Sequence, residues 1–136
     1  MDITLEHPVH AHLITTGREL PVPVTLRYTS ADPLAVHLDF PGHVSLSGEA
    51  STWTFARSLL EEGLGTAAGI GSVHIWPCGP LRTVVELHAL EGVAMVWFDP
   101  AVLRRFLLRS YAVVEPTDEN LGTALDEGLT SLLGGV

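Results

Sequence analysis

The chain has 136 residues, of which 16 are acidic and seven are basic, and its net charge is −9 when the histidines are neutral. With 46% hydrophobic residues, it is predicted to form one globular domain, residues 1–136, around a core of its own. The acidic charge argues against non-specific binding to nucleic acid or to an anionic membrane surface, and no apolar run approaches the ~18 residues of a membrane-spanning helix. Because Cys78 is the single cysteine and the N-terminus lacks the pattern of a signal peptide, we expect a cytoplasmic protein without an internal disulfide or membrane insertion.

The first part of the chain predicts strands. Residues 3–16 alternate loosely, and Pro8 interrupts them in the manner of an edge or bulged strand. Two prolines, Pro21 and Pro23, argue against a central strand over residues 20–23, because proline cannot donate a hydrogen bond to a neighbouring strand. Further strands are predicted over residues 24–28, 34–40, 44–47 and 50–55.

A change of period marks the centre of the chain. Trp53 and Phe55 are spaced to share a strand face, whereas Phe55 and Leu59 lie along one face of a helix. A strand is therefore predicted to run directly into a short helix over residues 56–62, with Trp53, Phe55 and Leu59 in the core. Arg57 lies at this junction, and two roles are open to it. It could hold the junction through a carboxylate or a backbone carbonyl group, or it could be exposed for a partner.

The remainder predicts a connector, three strands and two helices. Residues 65–71 are rich in glycine but lack the Gly-Lys-Ser/Thr ending and the preceding strand of a phosphate-binding loop, so a flexible loop is expected. Strands are predicted over residues 73–77, 83–90 and 93–98 as a meander. Asp99 and Pro100 are typical of a helix start, and a further helix is predicted after Thr117. The expected fold is α+β, with a mainly antiparallel sheet in two runs of strands, one short central helix and two C-terminal helices.

The chain carries few signs of catalytic or metal chemistry. His10 and His12 would share a strand face at a spacing that can bind a metal, with His7 nearby, but no cysteine or paired acid accompanies them. The acidic doublets lie on solvated faces, and no serine lies in a Gly-x-Ser-x-Gly motif. We therefore predict that the protein is not an enzyme and has no catalytic residues, metal site or cofactor.

Arginines and aromatic residues are the candidates for a binding surface. Arg104, Arg105 and Arg109 share one half of the first C-terminal helix, a pattern that is also typical of a helix whose other side is buried. They could meet an acidic partner surface, or a nucleic-acid strand if Trp76 or Trp97 served as an exposed stacking platform. The net charge favours a protein partner. The predicted partner-binding residues are Arg57, Trp76, Arg104, Arg105 and Arg109, and the alternative function is that of a single-stranded nucleic-acid-binding protein.

Several short motifs stand in a fixed order between residues 20 and 77. They are Leu20-Pro21-Val22-Pro23, Leu26-Arg27-Tyr28, Asp32-Pro33-x-Ala35-Val36, Trp53-x-Phe55-Ala56-Arg57-x-Leu59-Leu60-x-x-Gly63-Leu64, Gly69-x-Gly71-x-Val73 and Trp76-Pro77. This ordered set resembles the SsgA-like family of actinomycete proteins, which control sporulation-specific cell division. Residues 7–12 and 78–80 are outside the pattern, so the resemblance leaves open whether the chain is an SsgB-like member or a sister protein.

The resemblance implies a non-enzymatic adaptor that positions the division machinery through protein contacts. The implied partners are the tubulin-like protein FtsZ, which SsgB-like members recruit to future septum sites, or other SsgA-like proteins. The resemblance also implies a whirly-type fold, a homo-oligomer in the form of a trimer, and recruitment of a cytoplasmic protein to division septa. Whirly proteins themselves bind single-stranded nucleic acid, but the net charge of −9 argues against that activity here.

Overall fold

The structure is a computed structural model that describes residues 1–44 and 48–116. Its strands are β1 (Thr4–Thr15), β2 (Arg18–Thr29), β3 (Ala35–Phe40), β4 (Ser51–Ala56), β5 (Val73–Pro77), β6 (Thr83–Ala89) and β7 (Gly92–Phe98). Its α-helices are α1 (Arg57–Gly65) and α2 (Pro100–Val113), and one turn of 3-10 helix, Gly42–Val44, follows β3. The second predicted C-terminal helix lies outside the described residues.

The seven strands form one sheet in the order β4-β3-β2-β1-β7-β6-β5, and every pairing is antiparallel. The first run, β1 to β4, and the second run, β5 to β7, are connected in the chain by α1. They join in the sheet where His12, Leu13 and Ile14 of β1 pair with β7. The prediction of a mainly antiparallel sheet in two runs is confirmed, and the two runs form a single sheet.

The long strand β2 begins at Arg18, so the strand predicted over residues 24–28 starts too late, while residues 20–23 are paired on one side only, in agreement with the prediction that they are not a central strand. Pro21 and Pro23 are paired with β1. On its other side, β2 pairs with β3 only from Thr25 to Arg27, so that side has no described strand beside the prolines. A proline nitrogen that points to an unpaired side costs no ladder hydrogen bond. Both prolines therefore fit into a strand that is central only over part of its length.

One face of the sheet carries the hydrophobic core, and both helices pack against it. The buried side chains on this face and on the helices include Val24, Leu26, Leu38, Phe55, Leu60, Ile75, Val85, Val96, Phe98, Leu103 and Phe106. Phe55 is buried as predicted, whereas Trp53 and Leu59 are only half-buried and pack at the margin of the core. Trp53 lies on the edge strand β4, where it lines a small open pocket together with Leu13 and Val22.

The opposite face of the first run is polar. Arg27 of β2 donates two hydrogen bonds to Asp39 of β3, from Nε to Oδ2 at 2.8 Å and from Nη2 to Oδ1 at 3.1 Å. Thr52 of β4 donates a third hydrogen bond to Oδ1 of Asp39 at 2.6 Å. The hydrogen bonds from Arg27 are the main reason why the pKa of Asp39 lies below its ordinary value. These side-chain bonds connect three adjacent strands.

Two connections differ from the sequence prediction. Val44 belongs to the 3-10 helix, so the strand predicted over residues 44–47 is wrong at its start, and residues 45–47 lie outside the described residues. The glycine-rich connector is held in place, because Ala68 exchanges two backbone hydrogen bonds of 2.9 Å with Ile75 of β5. The connector therefore follows the outer edge of β5 at this point.

Helix α1 approaches β5 closely at Gly63. A Cβ atom built on Gly63 would lie 2.5 Å from both Cβ and Cγ2 of Ile75, whose side chain has 0% exposure. Such distances are far below van der Waals contact, so the approach of α1 to the sheet depends on the missing side chain.

Gly63→Ala should destabilise the protein even though alanine is the better helix former. The added methyl group must displace Ile75 or the helix, and we expect the free energy of unfolding to fall by about 1–3 kcal/mol. Gly65→Ala is the matched control, because nothing lies within 4 Å of a Cβ atom built there. Chemical denaturation of both variants measures the difference. Equal stability of the two would contradict the tight contact between α1 and β5.

Candidate partner-binding surfaces

Arg57 is the first residue of α1, and its side chain has 0% exposure. Its Nη1 donates to the carbonyl oxygen of Ser110 at 3.0 Å and to the hydroxyl oxygen of Ser110 at 3.3 Å. The guanidinium carbon lies 4.9 Å from the ring centroid of Tyr28 and 4.9 Å from that of Tyr111. The prediction that Arg57 contacts a partner is therefore wrong, because a fully buried side chain does not reach one. The structure shows the alternative role, a bond to a backbone carbonyl group that holds the junction.

The aromatic pair around Arg57 was missed by sequence reasoning. Tyr28 is the penultimate residue of β2 and Tyr111 lies near the end of α2, so only the tertiary fold brings them together. The start of α1 is fixed by the backbone N–H of Arg57, which donates to the carbonyl oxygen of Leu34 at 2.8 Å. A single buried arginine thus connects β2, α1 and α2.

Helix α2 presents its arginines to solvent, as predicted. The side chain of Asp99 caps the helix by accepting a hydrogen bond of 2.9 Å from the backbone N–H of Ala101, and a proline occupies the first helical position. Arg104, Arg105 and Arg109 are all exposed. They do not form one surface, however, because the exposed side of α2 divides into two stripes.

Arg105 and Arg109 face β1 across a groove of about 510 Å³, here called the basic groove. The groove is lined by Glu6, His7, Pro8, Val9, His10, Val102, Arg105 and Arg109. Nη1 of Arg109 lies 2.6 Å from Nε2 of His7, so the imidazole accepts a hydrogen bond from the guanidinium group. Burial, followed by the charges of Arg109 and Arg105, lowers the pKa of His7. The groove therefore offers positive charge on an acidic protein.

Arg104 and Leu108 lie one helical turn apart and form the second stripe of α2, here called the outer stripe. Neither residue lines the basic groove. Leu108 is 67% exposed. In the described part of the chain, Arg104 has no carboxylate at ion-pair distance. The outer stripe thus combines an exposed apolar side chain with a guanidinium group that lacks a described counter-ion.

Trp76 lies on a separate surface beside α1, a pocket of about 590 Å³ that we call the acidic pocket. It is lined by Ser58, Leu59, Glu62, Ala67, Ala68, Gly69, Ile70, His74, Trp76 and Glu86. Glu62 of α1 and Glu86 of β6 provide two carboxylates, and Ile70 is 99% exposed at the rim. Sequence reasoning found Trp76 and missed the residues around it. Pairing the predicted meander would have placed His74 opposite Glu86, which is the register observed.

Trp97 does not offer a free stacking surface for a nucleobase. The ring of His12 stacks on it at a centroid distance of 4.2 Å and an interplanar angle of 11°, and the guanidinium carbon of Arg82 lies 4.4 Å from its centroid. His12 belongs to β1 and Arg82 precedes β6, and these strands flank β7 on opposite sides. Both faces of the Trp97 ring are therefore covered. Trp76, the other predicted platform, shares its pocket with carboxylates that repel phosphate.

The described residues, 1–44 and 48–116, contain neither a metal-binding cluster of histidine, cysteine and acidic side chains nor a helix that could cross a membrane. Two of the N-terminal histidines contact aromatic rings in different parts of the fold. His7 lies edge-on to Phe106 of α2 at 5.6 Å, whereas His12 stacks on Trp97. Cys78 is exposed.

A family model described as "Streptomyces sporulation and cell division protein, SsgA" matches residues 22–119. The chain belongs to this family of sporulation and cell-division proteins, which confirms the resemblance found in its motifs.

Individual relatives agree with this assignment. The chain is 42% identical over 119 residues to the sporulation-specific cell division protein SsgB of Salinispora tropica, covering 85% of this chain and 82% of the relative. It is 37% identical over 137 aligned positions to SsgB of Streptomyces coelicolor, covering 98% of both.

Two solved structures have the same fold. One comes from a study of SsgB mutations and longitudinal cell division during sporulation of Streptomyces coelicolor, with a TM-score of 0.78 and 38% identity over 88% of this chain and 95% of that one. The other is an SsgA-like sporulation-specific cell division protein from Thermobifida fusca YX-ER1, with a TM-score of 0.74 and 31% identity over 96% and 95% of the two chains.

Replacing Arg57 should destabilise the fold rather than a partner contact. Arg57→Ala removes a buried side chain and its hydrogen bonds to Ser110, whose carbonyl oxygen then keeps the bond from the backbone N–H of Val114, and we expect the free energy of unfolding to fall by about 3 kcal/mol or more. Arg18→Ala is the control, because Arg18 is exposed. Urea denaturation followed by tryptophan fluorescence measures both. An Arg57→Ala variant as stable as Arg18→Ala would contradict the structural role.

The positive charges of the basic groove should affect the pKa of His7. Its pKa is lowered in the folded protein, so below its ordinary value of 6.5 the unfolded chain binds more protons than the folded one. The contribution of His7 to stability is therefore present above pH 6.5 and declines as the pH falls through the lowered pKa. NMR titration should place this pKa below that of an unfolded peptide. In Arg105→Gln/Arg109→Gln it should rise, and an unchanged value would contradict the electrostatic part of the shift.

Proposed function

We propose that the protein is a non-enzymatic adaptor in sporulation-specific cell division, which positions the division machinery through protein contacts. Family membership supports the division role. The observation that carries the adaptor role is the basic groove, an exposed positive surface on a protein of net charge −9. Such a local surface suits a specific acidic partner, because the remaining surface repels acidic proteins.

The proposed contact lies between α2 and β1. Arg105 and Arg109 present guanidinium groups that bind carboxylates in a defined geometry, and His7 keeps Arg109 in place. The part of β1 before His12 lies beyond the pairing with β7, so no described strand pairs with it on that side. Pro8 interrupts this edge and limits strand addition. Side-chain recognition by the arginines is thus the main source of specificity.

The proposed partners are FtsZ or other SsgA-like proteins. We propose that the protein is cytoplasmic and is recruited to division septa. The motif resemblance supports FtsZ as the first partner to test. We further propose that the chain acts as a homo-oligomer, with a trimer as the expected state. The binding of single-stranded nucleic acid gains no support from the positions of Trp76 and Trp97.

A direct binding assay with purified FtsZ tests the proposal. Labelled full-length protein should bind FtsZ in an anisotropy titration, and Arg105→Glu and Arg109→Glu should each weaken binding by about tenfold or more. Arg18→Glu is the matched control, since it makes the same charge change at an exposed residue at the start of β2, outside the basic groove. A fluorescent fusion of each variant should show the same ranking in its recruitment to sporulation septa.

Three outcomes would count against the proposal. A wild-type protein that binds neither FtsZ nor another SsgA-like protein would overturn the adaptor role. An equal loss of binding in Arg18→Glu would show a general charge effect and remove the basic groove as the site. Tighter binding to a labelled oligonucleotide than to FtsZ would favour the alternative function.

A further inference from the structure

The acidic pocket is separate from the basic groove, and the two share no lining residue. Its outer wall is the connector that Ala68 ties to Ile75 by two backbone hydrogen bonds. At Gly69, a Cβ atom would lie 2.4 Å from the carbonyl oxygen of Val73, so this part of the connector lies directly against β5. Ile70 is therefore held at the rim of the pocket, where it is 99% exposed.

The pocket has two kinds of lining. Leu59, Ile70 and Trp76 are apolar, while Glu62 and Glu86 carry negative charge. Nε2 of His88 lies 2.5 Å from Oε1 of Glu86, which directs this carboxylate, and no arginine lines the pocket. An aromatic ring beside carboxylates is a suitable site for a guanidinium group that is accompanied by an apolar side chain.

The outer stripe of α2 has the complementary pattern. Arg104 supplies a guanidinium group without a described carboxylate partner, and Leu108 supplies an apolar side chain that is 67% exposed. The two residues are one turn apart on a helix of 14 residues, and the small residues Ala101 and Ala112 flank them on the exposed side. Among the described residues of α2, the neighbours of Arg104 and Leu108 on this side are therefore small.

We infer that the acidic pocket of one copy receives the outer stripe of α2 from a second copy. Arg104 would bind at Glu62 and Glu86 over Trp76, and Leu108 would pack on Ile70 and Leu59. This inference rests on the homo-oligomer proposed above and names its interface. Helix-in-groove docking with one apolar contact and charged flanks is a common mode of recognition.

The two surfaces are different, so the interface is heterologous. Each copy uses its outer stripe for one neighbour and its acidic pocket for the next, and such head-to-tail contacts close into a ring when the rotation between copies permits. A trimer requires an interface of this type. The residues of the basic groove are not part of this interface.

Charge exchange tests the interface. Sedimentation equilibrium of the full chain at ~0.1 M salt should show assembly above the monomer, and Arg104→Glu or Glu62→Arg alone should weaken it by about tenfold or more. The double variant Arg104→Glu/Glu62→Arg should regain part of the assembly, because positions 104 and 62 again carry opposite charges while Glu86 is unchanged. Arg18→Glu, at the start of β2, and Glu91→Arg, in the turn between β6 and β7, are matched controls at exposed residues. Leu108→Ser should also weaken assembly, and the size of this effect should be the same at low and high salt, because the lost contact is apolar.

The outcomes separate the interface from the proposals on which it rests. A monomeric wild type at all concentrations would overturn both the homo-oligomer and the interface. Assembly that is unchanged in both single variants would overturn the interface alone. Loss in the single variants without recovery in the double variant would exclude a direct Arg104 to Glu62 contact. FtsZ binding in Arg104→Glu is measured in parallel, because its retention shows that adaptor function and assembly use different stripes of α2.

Discussion

Arg57 is a charged residue without solvent exposure, and its contacts explain how the helices are fixed to the sheet. Its guanidinium group lies beside the rings of Tyr28 and Tyr111 and donates to Ser110. Burying a charge is costly unless hydrogen bonds and favourable ring contacts compensate for it. The arrangement therefore specifies one position of α2 against α1 and β2, since another position would leave the charge without these contacts. Both candidate surfaces depend on it, because α2 carries one and α1 carries part of the other.

The division of the sheet into two runs explains where the surfaces lie. β1 pairs with β7 at three residues, so no described strand pairs with the first part of β1 on this side, next to α2. Arg105 and Arg109 cover this edge and form the basic groove. At the other end of the sheet, the glycine-rich connector follows β5 and forms the wall of the acidic pocket. Each surface thus arises where a helix meets an incompletely paired strand.

The charges of the protein are segregated, and this segregation is the basis of the proposed function. Arg27 and Arg82 bind carboxylates of their own chain and Arg57 is buried, so three of the seven arginines serve the fold. The arginines of α2 lack such carboxylate partners among the described residues and are free to meet another molecule. On a protein with net charge −9, a localised positive surface gives orientation to an encounter with an acidic partner. A family role in sporulation and cell division is consistent with such directed contacts.

The sequence by itself determined most of the strands, the strand-to-helix junction, the start of α2 and the family, because these depend on local periodicity, capping and short ordered motifs. It also placed the arginines of α2 on an exposed side. Only the tertiary structure decided the role of Arg57, since Tyr28 and Tyr111 come from distant parts of the chain. It likewise decided that Pro21 and Pro23 fit into β2, because the length over which β2 pairs with β3 depends on both strands and cannot be inferred from the sequence of β2 alone. The covering of Trp97 and the grouping of Trp76 with Glu62 and Glu86 follow from strand order and helix packing. Contacts of this kind arise between segments that are far apart in the chain, so no local pattern reveals them.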